Sequence, residues 1–287
     1  MTHLTKDLVW WITERFSILE KRRAGLPKPW SADPIFQTVR FCNVHREDDA
    51  VTRWMRENWS DKDSPAWWFV LGRMLNLVST LEDIVDFGVT ADDRGPDALP
   101  DIDGLLEGLK ERRACGEKIF TSAYTISTCG KKMDKLDYVL GVVAAVKKWE
   151  AMWPKCEHLD IHTCKGMWGN LMYVDGLGSF LAAQVVADMK NTRGHALEHA
   201  PDFRSFSAPG PGSLRGLSWY LYGAPEGVTA SFYASALNVC RSEVDPLIPS
   251  HIPRISDQDF QNAMCEMSKY CKVKYLGGHV RNKFQGV

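Results

Sequence analysis

Apolar residues recur along this chain at intervals of three and four rather than two, the spacing that lines one face of a helix. Leu8, Trp11, Ile12, Phe16 and Leu19 mark a first helix over 8–22, stopped by Gly25-Leu26-Pro27-Lys28-Pro29. Asp33 before Pro34 reads as an N-cap with proline at the first helical position. The pattern continues over 48–58 and 66–85, and Leu136, Val139, Leu140, Val143, Val146 and Trp149 predict a helix over 134–152. Helices at about 230–244 and 256–271 close the chain. Residues 89–103 are acidic, contain proline and read as a loop, and 119–127 is the best rival for a strand. There is no internal repeat, low-complexity run or Gly/Ser linker. The prediction is an all-α fold, a single domain over 1–287 whose two helical lobes flank a cleft.

Two glycine-bearing stretches add chemistry to this pattern. In Leu171-Met172-Tyr173-Val174-Asp175-Gly176-Leu177-Gly178-Ser179 the glycines allow a tight turn and a helix start, predicting a helical hairpin over about 168–190. The free N–H groups and dipole of that helix would face an anion, typically a nucleic-acid phosphate, with Gly176, Gly178, Ser179 and Lys190 as the DNA-binding set. An ordinary helix–helix turn is the other reading. Some thirty residues later, Ala208-Pro209-Gly210-Pro211-Gly212-Ser213-Leu214-Arg215 reads as a stiff loop offering backbone donors, a hydroxyl and a guanidinium. Gly210, Gly212, Ser213 and Arg215 suit a phosphate group, and a rigid surface connection is the alternative.

A third stretch, from Arg40 to Arg53, crowds charge. Arg40, Asn43, Arg46 and Arg53 suit a pyrophosphate, while Asp48 and Asp49 could take protons or hold an ammonium group. A buried ion-pair network orienting two helices would use the same residues.

Composition limits the classes. With 287 residues, 45% of them hydrophobic, the chain can bury a substantial core. A net charge of −1 excludes a uniformly basic nucleic-acid binder, so any DNA contact must come from local patches. Arg15, Lys21, Arg22, Arg23 and Lys28 form one such patch, and Lys269, Lys272, Lys274, Arg281 and Lys283 another, against the acidic stretch 82–107. The eight cysteines include no Cys-x-x-Cys pair, which predicts no zinc site and reduced thiols in a cytoplasm. No signal-like segment or run of about eighteen apolar residues occurs, so no membrane span is expected. Most of the eleven tryptophans fall at helical spacing and read as core.

These stretches, together with Trp11 to Arg15, Lys21-Arg22 and Gln261 to Tyr270, carry a resemblance. The chain resembles the alpha-glutamyl/putrescinyl-thymine pyrophosphorylases, whose helical module is shared with 5-hydroxymethyl-deoxyuridine DNA kinases. The resemblance spans nearly the whole chain. It implies a helix-hairpin-helix, DNA-glycosylase-like fold and a phage-type transferase. Such an enzyme acts on pyrophosphorylated 5-hydroxymethyluracil in double-stranded DNA and replaces the pyrophosphate with an amine, an amino acid or a polyamine. It implies a DNA kinase as a further partner, no resident cofactor, a divalent cation as an open question, and the host cytoplasm as location. In glycosylase relatives a catalytic aspartate follows the hairpin by twenty-odd residues. Asp202 is the favoured heir here and Glu198 the other acid in range; a turn cap after Pro201 is the competing role for Asp202. Bifunctional glycosylases carry a lysine two residues after the second hairpin glycine, where this chain has Phe180, and the four-cysteine cluster of some relatives is missing. No Gly-x-x-x-x-Gly-Lys-Ser/Thr run occurs, so phosphoryl transfer by that loop is not expected. A monofunctional glycosylase and a non-catalytic DNA-binding helper of the kinase are the alternative functions.

Overall fold

A computed structural model describes residues 3–59, 64–86, 102–121, 126–156 and 158–279. Twelve α-helices and no strand are found among the described residues, so the all-α prediction is borne out. The helices are α1 His3–Arg23, α2 Pro34–Thr38, α3 Ala50–Asn58, α4 Ala66–Leu75, α5 Val78–Asp86 and α6 Ile102–Ala114. They continue as α7 Lys135–Glu150, α8 Cys164–Leu171, α9 Ser179–Lys190, α10 Pro211–Tyr222, α11 Tyr233–Val244 and α12 Asp257–Leu276. The chain divides into two compact units, one made of residues 1–48 and 204–287 and the other of residues 49–203.

In the discontinuous unit, α10 lies along α12, and α1 packs on α10, α11 and α12. Its core joins Leu8, Trp11 and Ile12 of α1 to Leu217 of α10, Leu237 and Cys240 of α11, and Phe260 and Met264 of α12. Two glycines one turn apart make the α10–α12 approach close. A Cβ on Gly216 would overlap the Met264 carbonyl, and one on Gly212 would overlap the Cys265 sulfur. Asp33 caps α2 as predicted, its Oδ1 accepting from the N–H of Ile35 at 2.8 Å and of Phe36 at 3.1 Å, while Tyr270 donates to its Oδ2 at 2.8 Å.

In the continuous unit, α4 packs on α7 and α9, and α8 on α9. Trp59, Trp67, Trp68 and Phe69 are fully buried, with Trp59 stacked on Trp68. One long helix over 66–85 was expected. It is broken at Asn76, whose left-handed backbone (φ 51°) caps α4 before α5 begins. The stretch read as a stiff loop after Ala208 becomes helix at Pro211, because proline at N1 starts a helix as readily as it stiffens a loop. Most of the acidic loop over 89–103 and the centre of the 119–127 stretch lie outside the described residues, as do Arg281 and Lys283; Ile102 and Asp103 already belong to α6.

Candidate functional site

The hairpin forms where the glycines placed it, as α8, a turn over 172–178 and α9. Three contacts pin it. Trp168 Nε1 donates to the Ser179 carbonyl at 3.0 Å, Trp149 Nε1 of α7 to the Asn170 carbonyl at 3.0 Å, and Asn170 Nδ2 to the Asp160 carbonyl at 2.9 Å. The two glycines then part company. Gly176 has φ +98°, and a Cβ there would sit 2.6 Å from Val142 Cγ2 and 2.9 Å from the Tyr138 hydroxyl, so this glycine seats the turn on α7. Gly178 is exposed, a Cβ there would touch nothing, and as the N-cap of α9 it contributes no side-chain cap. Phe180 and Tyr173 stand exposed beside it. Lys190 corrects the expected DNA-binding set. It is 2% exposed, its ammonium donates to the Phe203 carbonyl at 2.7 Å and lies over the Phe203 ring, so it faces the interior.

The three carboxylates expected to be catalytic are each engaged by the fold. Asp202 accepts from the N–H of Cys164 at 2.8 Å and of Lys165 at 2.9 Å, which caps the start of α8 and complements its dipole. Asp49 is the N-cap of α3, accepting from Val51 and Thr52, and also meets Arg73 at 3.3 Å. Asp48 pairs with Arg23 at 2.5 Å, and its carbonyl accepts from Asn43 Nδ2 at 2.8 Å. A buried ion pair that sequence reasoning missed lies beneath Asp49. Arg73 and Asp188, both wholly buried, make a two-pronged contact at 2.6 and 2.5 Å, with Thr52 donating to Asp188 at 2.7 Å and Asn76 accepting from Arg73 at 2.7 Å. It ties α3, α4 and α9 together. An aspartate inside the apolar run 182–189 and an arginine inside 66–75 were the signal, since charges in such runs are buried only when paired.

The Arg40–Arg53 block likewise splits. His45 is buried against the Pro253 carbonyl at 3.0 Å, and the Arg46 N–H donates to Asp259 at 2.8 Å. Asn43 accepts from Arg15, and Arg15 also donates to the Cys42 carbonyl at 2.8 Å and the Phe41 carbonyl at 3.3 Å. Arg15, counted from sequence as part of a basic surface patch, is therefore an interior strut, and burial lowers its pKa to about 10. Arg40 remains exposed in the same unit as Arg215, while Arg53 is exposed on α3 of the continuous unit.

At the start of α10 the expected phosphate loop is reassigned in part. Ser213 is fully buried, with its hydroxyl donating to the Gly210 carbonyl at 3.0 Å and accepting from the Gly210 N–H at 3.1 Å. It closes the helix start and is not presented to a ligand. Gly212 serves packing against Cys265. Arg215 is exposed and faces Cys265, with Lys269 beside the same thiol. Lys269 pairs with the buried Glu266 at 2.6 Å, and Glu266 accepts from the Cys42 N–H at 3.0 Å. Burial opposes the charge on Lys269, but Glu266 outweighs it and holds the ammonium above its ordinary pKa. A cation-rich corner of α1, residues 40–43, α10 and α12 results.

With this geometry in place, comparison with known families decides what the chain is related to. The family model described as the helical domain of 5-hmdU DNA kinases matches residues 2–277. The chain belongs to that family. Its match covers all twelve helices, so both the hairpin and the cation-rich corner fall inside the family's helical domain. No curated protein and no solved structure matches significantly. Within the family's domain, Glu266 is the site residue that sequence reasoning passed over, although it stands in the stretch 261–270 that carried the resemblance, and Lys269 was counted only as part of a basic patch. They sit one turn apart on α12, and only the fold shows that the Glu266 carboxylate meets the Cys42 amide.

No group of three or more histidine, cysteine or acidic side chains able to hold a metal ion occurs among the described residues, and no described helix is long and apolar enough to cross a membrane.

Proposed function

We propose that this domain modifies 5-hydroxymethyluracil in duplex DNA once its hydroxyl carries a pyrophosphate, displacing the pyrophosphate with an amine. Membership of the 5-hmdU DNA kinase helical family over residues 2–277 is the observation that carries this reading, since it ties the domain to this base in DNA. The resemblance to thymine pyrophosphorylases supplies the finer step. The exposed Gly178 at the start of α9, where a Cβ would meet nothing, supports a close approach of backbone phosphate to the helix N-terminus. The corner formed by Arg215, Lys269 and the start of α10 supports a seat for the departing pyrophosphate, where charge develops as the bond breaks. The amine is an amino acid or a polyamine, and a kinase that phosphorylates the hydroxymethyl group is the natural supplier of substrate.

Incubation of the protein with duplex DNA containing 5-hydroxymethyluracil pyrophosphate and candidate amines, followed by digestion and mass analysis of the nucleosides, tests this. A new amine adduct is expected. An abasic site would replace the reading with a glycosylase, and an unchanged nucleoside with a non-catalytic helper. Asp202, held by two amides of α8, leaves the glycosylase reading without an unengaged acid at the expected position.

A further inference from the structure

We propose that Cys42 is the nucleophile that opens the modified base to substitution, with Lys269 as the counter-ion of its thiolate; this deepens the transferase reading above and rests on it. Cys42 is exposed, yet its backbone is clamped from both sides by buried charges. Arg15, 8% exposed, donates to its carbonyl, and Glu266, 2% exposed, accepts from its N–H. Burying two charges is costly, and here both act to fix the position of one surface thiol. Lys269, paired with Glu266, faces Cys42 as well as Cys265, and Arg215 faces Cys265. Arg15 and Lys269 thus meet Glu266, with Arg215 a third cation near Cys265, while Arg22 and Asp48, which also face Arg15, are of opposite sign. The surplus positive charge calls for an anion, first the thiolate and then the pyrophosphate. Cys265 is the unreactive neighbour. Burial pushes its thiol up to about 11, and its sulfur is packed against Gly212.

The chemistry balances with the amine as the sole co-reactant. The Cys42 thiolate adds to C6 of the base, and the electron pair released at C5 expels pyrophosphate from the methylene. A C5 exocyclic methylene and a C6–S bond remain. The amine adds to that methylene and loses one proton, the pair returns to C5, and it expels the thiolate from C6. The C5–C6 double bond is restored, the enzyme is regenerated, and the released proton leaves with solvent or pyrophosphate.

Two measurements test this on the full chain. The first mixes the protein with duplex bearing 5-hydroxymethyluracil pyrophosphate in the absence of amine and weighs the acid-quenched protein. A protein–DNA adduct lacking pyrophosphate, mapped to the Cys42 peptide, is expected. Cys42→Ala and Cys42→Ser should form none and should lose at least about a hundredfold in amine transfer, while Cys115→Ser behaves as the parent. If Cys42→Ala transfers amine at the parental rate, the nucleophile assignment is overturned and the transferase stands. If the parent neither forms an adduct nor transfers amine, both fall. The second measures iodoacetamide labelling without DNA. Cys42 should react faster than the exposed Cys115, Lys269→Gln should slow it, and inorganic pyrophosphate should protect Cys42 alone. Equal labelling of Cys42 and Cys115, unaffected by pyrophosphate, would overturn the proposal.

Discussion

Helices α9 and α10 begin alike and are used in opposite ways. Each follows a glycine cap without a side chain, Gly178 or Gly210, in a stretch dense with further glycine. At α9 the bare backbone opens outward, and a Cβ on Gly178 meets nothing. At α10 the bare backbone admits another helix, and Gly212 and Gly216 leave no room for a methyl group against Cys265 and Met264. The same residue type thus marks access in one place and close packing in the other. Only the neighbour decides which. The charge at the α10 start comes from its own Arg215 and from Lys269 of α12, whereas α9 begins at an exposed glycine.

The contrast breaks most sharply at what holds each start in place. Asp188 anchors α9 through the buried Arg73 pair, so Asp188→Ala should destabilise the protein by about 3–5 kcal/mol, because it leaves a buried guanidinium unpaired. Chemical denaturation measures it, and a loss below about 1 kcal/mol would show that α9 stands without the pair. At α10, Gly216→Ala should cost about 1–3 kcal/mol by overpacking α12, read as a fall in melting temperature.

Gly178→Ala should fold with a change within about 1 kcal/mol yet weaken binding to unmodified duplex at low salt, measured by fluorescence anisotropy. Parental binding would make the hairpin a structural turn. Gly176→Ala cannot serve for this comparison, because it strains the backbone and strikes Val142.

Two further helix starts extend the contrast to carboxylate caps. Asp202→Asn at α8 should lower stability by about 0.5–2 kcal/mol. Turnover per folded molecule separates its two roles: a cap leaves it near parental, and a general base loses on the order of a hundredfold. At α4, Glu150 accepts from the N–H of Ala66 at 2.7 Å and of Trp67 at 3.2 Å. Although part of its surface is open, it is surrounded closely enough for burial to push its carboxyl from 4.5 to about 7, against the amides and Lys147. The folded protein therefore keeps a proton that the unfolded chain releases near 4.5. That contribution to stability is complete below about pH 4.5 and is lost as pH rises through about 7. Glu150→Gln should flatten this slope in a denaturation series, the smallest of the effects.

Periodicity revealed the helices because their apolar faces meet cores: Leu8, Trp11 and Ile12, or Val139, Val143 and Val146, are all buried. It misjudged the 66–85 stretch, since no apolar spacing announces that Asn76 will turn left-handed. It also placed the start of the hairpin at about 168 where α8 begins at Cys164, and it missed α10 as a helix at all. The glycines were legible as special, but not their purpose, which depends on a partner some fifty residues away for Gly212 and Gly216 and on none at all for Gly178. Acids and cations were legible as a crowd. Their pairings, such as Asp202 with the α8 amides or Glu266 with the Cys42 amide, join positions that no spacing relates.

The division of the chain also dictates an order of assembly. Residues 49–203 are continuous, so a ribosome delivers that unit whole, and its helices can close on one another as soon as they emerge. The other unit is delivered in two instalments. Trp11 and Ile12 must wait, without their partners on α10, α11 and α12, until everything from residue 204 onward has been made. During synthesis the apolar face of α1 has only its own segment, with Phe36 and Phe41, to pack against, and closing so long a loop makes the last docking slow. The cation-rich corner, built from both instalments, can exist only after that final step.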